Sequence, residues 1–218
     1  MKMNWWYVAV VPAVGFALAA SSFRMVDVYL PTQYHRAQSA VAGETLNFSQ
    51  VAKVEGESYP IDAAITVNGV HRLRDADEPT MVEGTAIDVI AIDLDWEAAP
   101  DVPLKSCSMR LITEEGFEYV SSQQATSTFS SPSPALAQLY SCTPSDAPGP
   151  GYGVIDEAFG LFEEEAPRPE SWSTTVYFIV PDGAEPSRMQ VRWVEPEYAE
   201  FTDLKAAGEV ELPGLSFG

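Results

Sequence analysis

Two histidines, two cysteines and 32 acidic residues are the groups in this chain that could do chemistry. His71 is the one histidine in the body of the chain, between Val70 and Arg72 and just past Asn68-Gly69. A Ser-His-Asp triad through it needs a marked nucleophile, and no GxSxG elbow is present. HExxH, Walker A and GxGxxG motifs are missing too. His35, beside Arg36, reads as interfacial rather than as a ligand or base. Carboxylates are so abundant that any single pairing is uninformative. The two clearest strands place no acid inward where a hydrolytic pair would need one. The clusters Asp75-Ala76-Asp77-Glu78 and Glu163-Glu164-Glu165 offer hard oxygens. Neither has the alternating ligands, central glycine and closing glutamate of an EF-hand. They read as solvated loops, with calcium as the alternative. No catalytic residue, cofactor or metal ligand is assigned, and the chain is not read as an enzyme.

Cys107 and Cys142 are too far apart for a CxxC redox motif. An isolated pair in an exported domain is usually one structural disulfide. Closing that loop stabilises the fold by about 3–4 kcal/mol in the chain-entropy model. Two separate buried thiols would suit a cytosolic domain instead.

The element that places everything else is the apolar run Trp5–Phe23 (WWYVAVVPAVGFALAASSF), which carries no charge. As a helix it is roughly 28 Å long, close to the ~30 Å hydrocarbon core of a bilayer. Trp5, Trp6 and Phe23 are the expected anchor residues at its ends, with Lys2 before it and Arg24 after it. Tryptophan favours the membrane interface. The other reading is a cleaved signal peptide, supported by the basic start and the small residues of Ala17-Leu18-Ala19. Length, the paired tryptophans and the amphipathic continuation MVDVYLP favour retention. The expected organisation is a cytoplasmic head and transmembrane anchor (1–24) and a juxtamembrane connector (25–42). A folded domain (43–200) and a loose tail (201–218) follow.

Past Arg36 the chain holds 9 basic and 31 acidic residues, a formal charge of −22. Such a domain is repelled by phosphate backbones and anionic lipid surfaces, so nucleic acid is not an expected partner. Its patterning is β. Ile90, Ile92, Leu94 and Trp96 alternate with Asp93, Asp95 and Glu97, as on a half-buried antiparallel strand. Trp172, Thr174, Val176, Phe178 and Val180 share the face of a second strong strand. Leu46, Phe48 and Val51 suggest an earlier strand, and Asn68-Gly69 a hairpin turn between Ala64–Val67 and Val70–Leu73. Cys107, Met109 and Leu111 face inward, and Glu114-Glu115-Gly116 turns into Phe117–Tyr119. Met189, Val191 and Trp193 alternate with Arg188, Gln190 and Arg192. Ser121–Tyr152 reads as a long loop, and Gly153–Glu165 as either irregular chain or a short helix. The expected fold is mainly β, an antiparallel Ig-like β-sandwich preceded by one transmembrane helix.

The order of these pieces resembles a group of single-pass membrane proteins of actinobacteria. The matching residues are the opening NWWYVA, then ALAASSFR and YLP, followed by Cys107, Cys142 and Asp146–Pro150. Arg168-Pro169-Glu170-Ser171-Trp172, Val191-Arg192-Trp193 and Glu195-Pro196 complete them. The resemblance implies an anchored envelope protein with an extracytoplasmic Ig-like domain, and it brings no activity or site residues. The functional expectation is a membrane-anchored extracytoplasmic interaction module. Its partners would be the lipid bilayer and an envelope or membrane protein. A small-ligand- or cation-binding domain is the alternative.

Overall fold

The computed structural model describes residues 33–54, 56–74, 81–82, 85–105, 107–121, 142–144, 146–151, 167–207 and 209–211. Alternating side chains organise them into eleven strands. One sheet holds β1 (Arg36–Val41), β10 (Glu197–Thr202), β9 (Pro186–Arg192), β6 (Ser108–Thr113) and β7 (Glu118–Val120), in that order. The larger sheet is built on β3 (Glu57–Arg74) and β5 (Thr85–Glu97), paired antiparallel. β2 (Thr45–Val54) pairs with β3, and β8 (Ser171–Pro181) pairs with β5. The short β4 (Met81–Val82) and β11 (Glu209–Glu211) join its far end. β1 on β10 and β11 on β3 are parallel, and the other pairings are antiparallel.

The two sheets form a β-sandwich over one main core. Ile65, Ile90, Ile92, Leu94 and Phe178 from the larger sheet meet Met109, Leu111, Val191 and Phe201 from the smaller one. Three tryptophans join the sheets. Trp96 stacks on Trp172 at 6.0 Å and meets Trp193 edge-on at 6.3 Å, while Phe48 stacks on Trp193 at 5.2 Å. Such pairs add about 0.5–1.5 kcal/mol each beyond their burial. Each indole N–H has an acceptor: Thr174 Oγ1 for Trp96, Cys142 O for Trp172 and Leu104 O for Trp193. The Cys107–Cys142 disulfide is present, with Cα atoms 6.1 Å apart and both residues buried.

The two strong strands, the β6–β7 hairpin and the inward faces of β8 and β9 follow the sequence pattern. Four readings need correction. Asn68-Gly69 is not a hairpin turn, because β3 runs through it and the register shifts there as a β-bulge. Cross-strand pairing with β5 from Val89 to Glu97 outweighs the local turn preference. The connector does not extend to residue 42, since Arg36–Val41 is strand β1. Nor is the tail loose from residue 201: Phe201 and Leu204 are buried, and Glu209–Glu211 pairs with β3. On β2 the inward face is Phe48, Gln50 and Ala52, and Val51 is 57% exposed, as a period of two demands.

Among the described residues no helix is long and apolar enough to cross a membrane. The run Trp5–Phe23, with Trp5, Trp6 and Phe23, lies outside them, as do Asp75–Glu78, Glu163–Glu165 and most of Ser121–Tyr152.

Candidate functional site

The pleat of β5 sends Asp93, Asp95 and Glu97 to the outer face of the larger sheet. The flanking strands supply their partners. Ser173 Oγ on β8 donates to Asp95 Oδ1 at 2.6 Å, and Asn68 Nδ2 on β3 donates to Asp95 Oδ2. Thr175 Oγ1 donates to Asp93 Oδ1 at 2.7 Å, and His71 Nε2 lies 3.0 Å from Asp93 Oδ2. Thr45 and Thr66 share a hydroxyl hydrogen bond at 2.8 Å on the adjoining strands. The Ser173 hydroxyl, and after it the Asn68 amide, hold the Asp95 carboxyl below the usual carboxylate range. Gly69 makes room for this network. A Cβ there would stand 2.7 Å from His71 Nε2 and 3.3 Å from Asp93 Oδ2. The glycine at the bulge is thus a close-approach position, as strand glycines often are.

Two open depressions continue the face toward the end of β5. One, of about 380 Å³, is lined by Thr45, Thr66, Asp95, Glu97, Ser171 and Ser173. The other, of about 570 Å³, is lined by Asn47, Ser49, Asp62, Ala64, Glu97 and Glu170, among others. Both touch Ala64 and Glu97, so they adjoin as one furrow whose carboxylates and hydroxyls flank an apolar part made by Phe48, Ala63, Ala98 and Ala99. Chemically it is an acceptor surface suited to ammonium or guanidinium groups.

Among the described residues it does not assemble a nucleophile with a free base. The second nitrogen of His71, Nδ1, is buried without a hydrogen-bond partner, whereas Nε2 is engaged by Asp93. A base that must reach an incoming hydroxyl cannot use the enclosed nitrogen. Among the described residues no group of three or more His, Cys, Asp or Glu is arranged to hold a metal ion.

Asp88 and Arg168 are two of the buried charges that escaped the sequence reading. Asp88 on β5 is 2% exposed, an inward acid in a strand read as having none. It accepts hydrogen bonds from Arg72 Nη1 and from the Gly183 N–H. Arg72 also donates to Ala184 O at 3.0 Å and to Glu185 Oε1 at 2.9 Å, which ties the β8–β9 turn to β3 and β5. Arg168 is 1% exposed, lies 4.8 Å from the centre of the Trp172 ring and donates to Ala99 O at 2.7 Å. Burial pushes its guanidinium down to about 10, with Asp101 acting in the opposite direction. Both residues look like ordinary surface charges in the sequence. The one signal was the position of Arg168 four residues before Trp172, inside a matched segment.

Of the assigned residues, Cys107 and Cys142 are brought together, and the anchor residues lie outside the described chain. No protein-family model matches the chain, and no curated protein matches it. Among solved structures it is similar to a secreted protein from Mycobacterium tuberculosis, MPT63. The two share 13% sequence identity with a TM-score of 0.38, over 75% of this chain and 95% of that one.

Proposed function

We propose that this chain is a membrane-anchored extracytoplasmic interaction module, accessory to a cell-envelope or transport complex. In this reading it docks a cationic surface of its partner on the outer face of the larger sheet. The observation that carries the reading is the preorganised row on β5, where Asp93 and Asp95 are fixed by hydroxyl, amide and imidazole groups of β3 and β8. Side chains already ordered lose little entropy on docking. The Cys107–Cys142 bridge supports a location outside the cytoplasm, where disulfides persist. The Ig-like refinement of the sandwich is supported by the Trp96–Trp172 stack beside that bridge. The uncharged run Trp5–Phe23 supplies the tether.

Affinity purification of the full chain from detergent-solubilised membranes tests the module. One membrane or envelope partner is expected, retained at low salt and lost as salt rises, because exposed ion pairs are screened. Charge reversal at Asp95 and Glu97 should release it. Recovery of the chain alone across mild detergents would count heavily against the reading.

The furrow beside Asp62, Glu97 and Glu170 favours a second reading, a small cationic ligand or metal ion. Titration calorimetry with calcium and with polyamines separates the two. Saturable heat at micromolar ligand that Glu97→Gln abolishes would put ligand binding first.

A further inference from the structure

The fold takes hold of the chain at Tyr34. Its hydroxyl donates to Trp193 O at 3.1 Å, and the Pro196 carbonyl accepts from the backbone N–H groups of both His35 and Arg36 at 3.0 Å. The Tyr34 ring meets Tyr198 edge-on at 6.5 Å. The Arg192 guanidinium lies 5.2 Å from the centre of the Tyr34 ring and 5.8 Å from that of Tyr198. Arg192 and Tyr198 stand on the outer face of the smaller sheet, because Val191 and Ala199 beside them point into the core. The chain therefore enters the domain over that face, away from the acidic furrow.

Between the end of the apolar run at Phe23 and Tyr34 there are ten residues, which reach at most about 36 Å. A domain tethered so closely must turn one side to the bilayer. The two outer faces differ in charge. The larger sheet presents Asp62, Asp93, Asp95 and Glu97 against Lys53 and His71. The smaller sheet presents Arg110 and Arg188, with the largely covered Arg192, interleaved with Glu118 and Glu200 at 2.9 to 3.8 Å. At physiological ionic strength charge is felt over about 8 Å. The residues at the contact, rather than the charge of the whole domain, then decide which face an anionic bilayer accepts. Tyrosine and arginine are also side chains that place an apolar body and a polar head at a lipid interface.

Resting on the anchored reading above, the geometry points to the outer face of the smaller sheet as a lipid-facing surface. Tyr34, Arg110, Arg188 and Tyr198 lie against anionic phospholipid headgroups, and the acidic face is turned away from the bilayer, free for a partner.

The test uses the full chain in lipid nanodiscs with or without phosphatidylglycerol, carrying the photo-crosslinker p-benzoylphenylalanine at one position. In place of Tyr198 or of the exposed Val120 on the same sheet, it should give lipid adducts, severalfold more with the anionic lipid. In place of Thr175 on the larger sheet it should give almost none. Arg188→Glu should lower the yield from position 198 severalfold. Equal yields from both faces, or lipid adducts mainly from position 175, would overturn the inference and leave the anchor standing. Adducts between two copies from position 198 would overturn it as well, assigning the face to self-association. A chain that does not enter nanodiscs at all overturns the anchored reading and this inference with it.

Discussion

Asp95 is exposed on β5, yet its carboxylate accepts hydrogen bonds from Ser173 and Asn68, residues 78 and 27 positions away in the chain. The alternation of β5 made its outward direction readable from the sequence. Its partners were not readable, because they arrive from other strands and depend on register. The lowered carboxyl range has a definite sign. An acid whose folded value lies below its unfolded one stabilises the fold above the unfolded value, and that contribution fades as pH falls through the folded one. The group is exposed, so the contribution to stability is small. Its effect on the titration is the better readout. Observed by NMR, the Asp95 carboxyl should titrate below the usual aspartate range, and Ser173→Ala should move the midpoint up. An unchanged midpoint in the variant would remove the Ser173 hydroxyl as the leading cause.

At the scale of elements, the readable parts were those where one face is buried and the other wet. β5, β8 and the β6–β7 hairpin have that pattern. β3 hid itself, because its bulge at Asn68-Gly69 imitates a turn and its second half carries inward Val70 and Arg72 in a new phase. β1 and β10 hid for another reason. β1 lies inside the segment read as a connector, and β10 runs past residue 200, where the folded domain was expected to end. β1 becomes a strand through its parallel pairing with β10, across more than 150 residues, while β10 also pairs antiparallel with β9. Gln38 shows how that added edge is secured. Its side-chain amide donates to Ser49 O at 2.7 Å and its carbonyl accepts from Ser49 N at 3.2 Å, bridging β1 to β2 of the other sheet. The disulfide does similar work over a longer range. It ties Cys107, just before β6, to Cys142, whose carbonyl accepts from Trp172 on β8. Closing a loop with a sequence separation of 35 is worth about 4 kcal/mol in the chain-entropy model. A chain carrying Cys107→Ala and Cys142→Ala should therefore unfold in urea with about that much less stability and a changed slope. Loss of under ~1 kcal/mol would mean that the reduced chain is already constrained at this point.

At the scale of the whole molecule, the sequence made a β domain and its charge readable, but not which surface does what. Surface roles depend on how strands from both ends of the chain meet. The topology prediction draws on all of these scales. Trp5–Phe23 is expected to be retained as a membrane helix, because an uncharged run of that length is stable across a bilayer. In that reading the β-sandwich is the part expected outside the cytoplasm. Its disulfide suits an oxidising exterior. The first described strand begins at Arg36, so outside protease is expected to cut on the membrane side of it. Mature protein should therefore carry its native start by intact mass, sediment with membranes, and lose a folded fragment beginning before Tyr34 when protease is added to intact wall-stripped cells. A mature chain starting near Ala20 or Ser21 would show instead that the run is a cleaved signal. A membrane-bound domain that outside protease cannot reach would show the opposite orientation, and the acidic face would then need a cytoplasmic partner.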